Sequence, residues 1–252
     1  MRRRRIGAAS SSLQSPRYDS WTSLVATSPV FLIYHLGVIF SDLRNGVDFF
    51  TEVLVRLAQH SLEAYVGLTL LMALVFVGLG ASMRRGKRFE FKDFLSLLGE
   101  SLFWSIFLWV VVSWAVVRLE AGMMLAPRGG GGVGRFHGMG VFDCIVAAAG
   151  AGFHEELVFR AGLFEWGCRA FERWLKMRRF PALIWAGGGS ALAFSAIHYL
   201  GPFGDDFTWA SFLFRWLMGV GLAVLYRVRG FAVSVYTHVF YDLWVFFLLK
   251  NT

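Results

Sequence analysis

Long apolar runs separated by short polar or basic stretches cover most of the chain. A bilayer core of about 30 Å needs about 20 apolar residues in a helix, because each residue rises about 1.5 Å. Runs at 62–80, 94–117, 141–167, 182–200, 207–226 and 231–249 meet or approach that length. The first run, 30–40, is short and must recruit residues from about Trp21 onward to cross. The pattern therefore predicts an all-α, polytopic transmembrane helix bundle of about seven spans. The mixed-charge stretch 41–63 reads as an amphipathic interfacial segment. The glycine-rich stretch 129–134 lacks the closing Gly-Lys-Ser/Thr of a phosphate-binding loop and reads as a connector between spans. Residues 1–20 read as a flexible basic cytoplasmic tail and 21–252 as one integral membrane domain, with its polar core in 141–249.

Composition agrees. Of 252 residues, 56% are hydrophobic and only 17% charged, and the mean hydropathy is +0.55. Soluble domains carry about 25% charged residues, so a soluble globular enzyme is excluded, as is a disordered chain. The net charge of +8 would suit nucleic acid if the basic residues formed one patch. They lie instead in short clusters between apolar runs, the pattern of loops facing the cytoplasm, and no nucleic-acid partner is expected. Arg2 to Arg5; Arg84, Arg85, Lys87 and Arg88; Arg169, Arg173, Lys176, Arg178 and Arg179; and Arg227 with Arg229 all fall on one side if every run crosses once. The acidic pair Asp205 and Asp206 falls opposite. This predicts a cytoplasmic N-terminus, and the Arg-rich loops suggest a bacterial inner membrane. On one helix, Cys144 and Cys168 would lie about 36 Å apart, too far to be bridged.

Ionisable groups inside a span cost several kcal/mol and usually mark function. They concentrate in three late spans. In Gly152-Phe153-His154-Glu155-Glu156-Leu157-Val158-Phe159-Arg160, Glu156 and Arg160 share a helix face and suit a buried ion pair. Glu155 points about 100° away without a local partner, as a general base would. The second group is Phe194-Ser195-Ala196-Ile197-His198, and the third is His238-Val239-Phe240-Tyr241-Asp242, in which His238 and Asp242 share a face. Taken singly, each group also suits a structural role in the bundle. Three such groups in one small membrane protein are hard to explain by packing.

The ordered set Glu-Glu-x-x-x-Arg, Phe-x-x-x-His and His-x-x-x-Asn/Asp resembles that of the CPBP intramembrane proteases, the family containing type II CAAX prenyl endopeptidases and bacteriocin-processing or immunity proteins. The resemblance spans 141–249. It implies that Glu155 and His198 activate the attacking water and that His238 and Asp242 polarise the scissile carbonyl or hold its oxyanion. Glu156 and Arg160 would brace the site. It also implies a membrane-anchored protein or peptide as substrate. The last position is commonly Asn, which donates a hydrogen bond; ionised Asp242 can only accept one, so a role in orienting or charging His238 is the alternative.

Two chemistries fit a glutamate and two histidines. Glu155 can deprotonate water directly, with no cofactor; alternatively Glu155, His198 and His238 hold Zn2+, which acidifies it. The resemblance points to the metal-free form. His154-Glu155 opens like the zincin motif His-Glu-x-x-His, but Val158 stands where the second histidine belongs. Ser190 lacks the following glycine of the rhomboid nucleophile pattern, and the second aspartyl-protease motif, Gly-x-Gly-Asp, is absent. A non-catalytic bacteriocin-immunity or scaffold protein and a proton-coupled transporter remain the other classes; no paired broken helices in matching halves support the transporter. One tension concerns depth. Glu155, His238 and Asp242 fall in the middle third of their spans but His198 near the outer end. Convergence then requires the span after Pro181 to start deep or to tilt.

Overall fold

The computed structural model describes residues 18–41, 61–84, 88–123, 140–200 and 204–249. Helices account for nearly all of them: α1 (Ser20–Phe40), α2 (Leu62–Met83), α3 (Phe91–Met123), α4 (Val141–Gly150), α5 (Glu165–Arg173), α6 (Arg179–Ile197), α7 (Trp209–Arg229) and α8 (Phe231–Leu249). Between α4 and α5 the helix continues through π-helical turns at Ala151–Glu155 and Leu157–Phe164, so α4 to α5 form one rod. Among the described residues seven rods result, one for each expected span. Five are long and apolar enough to cross a membrane by length and composition alone: α1, α2, α3 (to Leu119), α6 and α7. The α4–α5 rod and the shorter apolar α8 complete the set.

Polar caps begin the helices. Asp19 accepts from the Thr22 amide at 2.8 Å and Ser61 from the Ala64 amide at 3.2 Å. Thr208 accepts from the Ser211 amide at 3.2 Å. Each satisfies an amide that the first helical turn leaves without a carbonyl partner. Asp19 belongs to the segment expected to be a flexible tail, and its neighbour Tyr18 is buried, its amide donating to the Arg229 carbonyl at 3.3 Å. The ordered bundle thus begins at least two residues before the expected boundary. The rest of the tail, most of the interfacial stretch and the glycine-rich connector lie outside the described residues.

Burial is distributed as lipid requires. Leu70, Leu71, Leu74, Val77, Phe103, Trp114 and Trp185 face outward, whereas Ala26, Ala148, Ala149, Ala182, Ala191, Thr27, Ser190, Ser195, Ser234 and Thr237 are buried. Small residues let rods approach closely, and interior hydroxyls find carbonyls on neighbouring helices. Tyr236 Oη donates to the Ala26 carbonyl at 2.8 Å, Ser190 Oγ to the Phe159 carbonyl at 2.6 Å, and Ser195 Oγ to the Phe212 carbonyl at 2.8 Å. The α4–α5 rod packs on α1 and α6, α6 on α7, and α8 against α1, α3, α4 and α7. The protein is an integral membrane protein.

The described basic clusters share one end of the bundle. Arg229, where α7 ends, pairs with Glu100 near the start of α3. The end of α2 meets the start of α1, where a Cβ on Gly80 would lie 2.9 Å from Leu24. Phe164 and Tyr226 place the base of the rod beside that of α7, their ring centroids 6.0 Å apart. At the other end Ser41, following α1, donates to Asp143 at the start of α4 at 2.5 Å. Cys144 and Cys168 sit on the same rod; both are buried and neither is in a disulfide.

Candidate active site

Three rods converge on one polar centre. Glu155 and Glu156 come from the π-helical part of the rod, His198 from the C-cap of α6, and Ser234, His238 and Asp242 from one face of α8. π-helical turns are rare and are found often at functional sites. Here they carry Glu155 and Arg160, with Glu156 at the junction between the two turns.

Glu156 is the anchor. Fully buried, its carboxylate meets Arg160 Nε at 3.2 Å and His238 Nδ1 at 3.0 Å, and it accepts a short hydrogen bond from Ser234 Oγ. Arg160 is also fully buried, donates from Nη2 to the Gly219 carbonyl at 3.3 Å and lies 4.5 Å over the Phe194 ring. The expected Glu156–Arg160 pair is therefore present. A buried pair needs further hydrogen bonds; α8 supplies them to Glu156 through Ser234 and His238, whereas in Arg160 only Nη2 has one, to the α7 carbonyl of Gly219.

Around this anchor stand Glu155, His198 and Asp242, which are less completely buried. Glu155 Oε2 lies 4.0 Å from His198 Nε2 and 3.8 Å from His238 Nε2, and Asp242 Oδ2 lies 3.7 Å from His238 Nε2. Glu155 Oε2 makes no hydrogen bond to any described residue. The side chains of Glu155, His198 and Asp242 keep 13%, 10% and 15% of their exposure, against none for Glu156 and Arg160. Hence the bracing pair is sealed, whereas the other three side chains keep some exposure, although Glu155 Oε2 itself is buried.

Hydrogen bonding assigns the histidine tautomers. His198 Nδ1 lies 2.8 Å from the Phe194 carbonyl, which only accepts, so Nδ1 carries a proton and Nε2 of the neutral ring accepts. His238 Nδ1 likewise donates to the Glu156 carboxylate, leaving Nε2 toward Glu155 and Asp242. Phe194 packs edge-on against both rings, with centroids 5.0 Å from His198 and 5.7 Å from His238.

The depth tension is resolved by where the helices end. The rod runs on to Arg173, about 9 Å beyond the expected span end at residue 167, and α6 begins at Arg179 rather than 182. The two rods form an antiparallel hairpin turning at Lys176, whose φ is +54°. Glu155 precedes Lys176 by 21 residues and His198 follows it by 22, so they lie level without special tilt. The same register sets Arg160 against Phe194 and Gly167 against Ala186, where a Cβ on Gly167 would come within 3.2 Å.

The donor geometry does not suit tetrahedral zinc. Among the described residues no group of three or more His, Cys, Asp or Glu side chains is placed to hold a metal ion. Two tetrahedral ligands each about 2.0–2.2 Å from zinc lie about 3.3–3.6 Å apart, less than the 3.8 and 4.0 Å from Glu155 to the two imidazoles.

Two contributors were not foreseen from sequence. Ser234 lies four residues before His238, so the i, i+4 spacing that linked His238 to Asp242 also pointed to it. Gly152 lets α8 approach: a Cβ there would lie 3.0 Å from the Val239 nitrogen and 3.1 Å from the Val235 carbonyl oxygen.

Lipid-facing rods around a braced Glu/His centre define an integral membrane protein with its reactive groups inside the helix bundle. Residues 137–244 match the family model for type II CAAX prenyl endopeptidases, Rce1-like. The matched segment contains Glu155, Glu156, Arg160, Phe194, His198, His238 and Asp242, and bears out the resemblance drawn from those residues. No curated protein and no solved structure matches the chain.

Proposed function

We propose that the protein is a glutamate-dependent intramembrane endopeptidase that hydrolyses a peptide bond near the end of a membrane-anchored protein or peptide without a metal. The observation that carries this reading is the approach of Glu155 Oε2 to the Nε2 atoms of two histidines from two other rods. Separations of 3.7–4.0 Å are too long for direct hydrogen bonds and suit groups bridged by a small polar molecule.

A water held between Glu155 and His198 is polarised from both sides. Glu155 takes one of its protons as the oxygen attacks the scissile carbonyl carbon, and His198 Nε2 accepts a hydrogen bond from the other. His238 as an imidazolium, with Nδ1–H held by Glu156, presents Nε2–H to the developing oxyanion. Asp242 balances that charge from 3.7 Å. Ionised Asp242 cannot itself donate to the oxyanion, so its place beside His238 favours the charge-balancing role over the Asn-like one. Glu155 then returns its proton to the departing amide nitrogen as the carbon–nitrogen bond breaks, releasing a carboxylic acid and an amine, and the acid's proton passes to the amine to give carboxylate and ammonium. Glu156 and Arg160 hold His238 and touch no reacting atom. We also propose that the protein lies in a bacterial inner membrane with its N-terminus and its basic clusters on the cytoplasmic side, where short basic loops between spans usually lie.

The test uses Glu155→Gln, which keeps shape and removes the base. Purified protein in lipid vesicles is given a farnesylated peptide with a CAAX tail, and unprocessed termini are mapped in membranes of a deletion strain and of a Glu155→Gln strain. Turnover should fall by at least about 100-fold, the usual worth of a positioned general base, and both strains should accumulate the same unprocessed species. A Glu155→Gln strain with wild-type phenotype and wild-type termini would turn the assignment toward a non-catalytic immunity or scaffold protein.

A further inference from the structure

His198 occupies a weak position for a group whose placement matters. It caps α6, where backbone carbonyls run out of helical partners and the chain tends to fray. A polar network on the acidic side holds it. The Asp205 amide donates to the His198 carbonyl at 2.8 Å, closing the loop back on the cap. The Asp205 carboxylate is in turn gripped by Arg215 Nη2, from the first half of α7, at 2.5 Å. Arg215 Nη1 reaches Tyr199 Oη at 2.8 Å and Ser211 Oγ at 2.6 Å, and Tyr199 Oη donates to Ser211 Oγ at 2.9 Å. The guanidinium also lies 5.2 Å over the Tyr199 ring. One arginine therefore fixes both the residue that follows His198 and the residue bonded to its carbonyl.

We infer that Arg215 and Asp205 are positioning residues: their ion pair, with Tyr199 and Ser211, clamps the end of α6 and sets His198 Nε2 at its distance from Glu155. The inference rests on the hydrolytic reading of that site and adds to it a structural device none of the three motifs contains. Its logic is geometric. His198 Nδ1 is tied to Phe194 within α6, so the ring turns with the cap; if the cap shifts, so does Nε2. A displacement of about 1 Å at a reacting group can cost about 100-fold in rate. Lysine cannot replace Arg215, because a single ammonium lacks the planar fork that serves Asp205 and Tyr199 together.

Two measurements on the full-length protein in lipid vesicles test this. Hydrogen exchange resolved by mass spectrometry, which needs no substrate, should show faster exchange in peptides covering His198 and Asp205 for Arg215→Ala and Asp205→Ala, with the α8 peptides unchanged. With the farnesylated CAAX-tail peptide, each variant should lose about 100-fold in kcat with KM within about twofold. The double variant should be no worse than either single, because both break one unit. Arg215→Lys and Tyr199→Phe should fall between wild type and Arg215→Ala, and they carry the comparison if an alanine variant fails to fold. Unchanged exchange around His198 in a folded Arg215→Ala protein overturns the inference. So does wild-type kcat in Asp205→Ala where Glu155→Gln is inactive. Full turnover by Glu155→Gln itself removes the hydrolytic reading, and this inference with it.

Discussion

Glu156, not Glu155, carries the largest structural burden in the centre. Its two oxygens serve Arg160, His238 and Ser234, and neither it nor Arg160 is exposed. Removing one partner of a buried pair leaves an uncompensated charge and costs about 3–5 kcal/mol. Arg160→Met should therefore lower the melting temperature sharply and reduce the amount of folded protein recovered, as followed by thermal unfolding in detergent. Glu155→Gln should melt close to wild type, because Glu155 keeps partial exposure and no hydrogen bond is lost from Oε2. On the proposed reading the two glutamates, adjacent in sequence, separate into a fold residue and a reaction residue by what surrounds them. Melting temperatures in the opposite order would contradict that division.

At the scale of elements, the site depends on how closely two rods approach and on how tightly two others are joined. Gly152 sits one helical turn before Glu155, where the rod meets the α8 backbone between Val235 and Val239. Gly152→Val should push α8 away and lower kcat by about 100-fold per ångström of displacement, with a measurable loss of stability; a steady-state assay beside thermal unfolding reads both. Gly230 alone joins α7 to α8, at φ +105° and ψ 171°, a region essentially reserved for glycine. Its amide donates to the Leu225 and Tyr226 carbonyls, closing α7 before α8 begins. Gly230→Ala should cost about 1–3 kcal/mol, seen as a lower unfolding midpoint.

At the scale of the whole molecule, the alternation of rods brings Arg84, Arg169, Arg173, Lys176, Arg227 and Arg229 to one end and Asp205 to the other. Single cysteines introduced at Lys176 and at Asp206, in a background where the buried Cys144 and Cys168 are replaced by Ala, should react with a membrane-impermeant maleimide from opposite faces. Lys176→Cys should label only after the cytoplasmic side is opened, and Asp206→Cys in intact cells. Labelling of both from one face would require a different number of crossings.

Much of this architecture was legible in the chain. Lipid leaves backbone groups no partner but their own helix, so each apolar run, the first with its recruited residues, had to become a rod, and among the described residues each did. The same solvent makes a charge in a span costly, which marked Glu155, Glu156, Arg160, His238 and Asp242 as interior before any contact was known. What local pattern could not supply was distance. The level meeting of Glu155 and His198 depends on the hairpin turning at Lys176, nine residues beyond the expected end of the rod. The approach of His238 depends on a glycine whose absent side chain matters only once α8 lies against it. Ser234, Asp205 and Arg215 gain their roles from partners on other helices. Helix formation and burial follow from local hydropathy and the nature of the solvent; the separations that make a reactive centre follow from packing among rods remote in sequence, and only the folded bundle decides them.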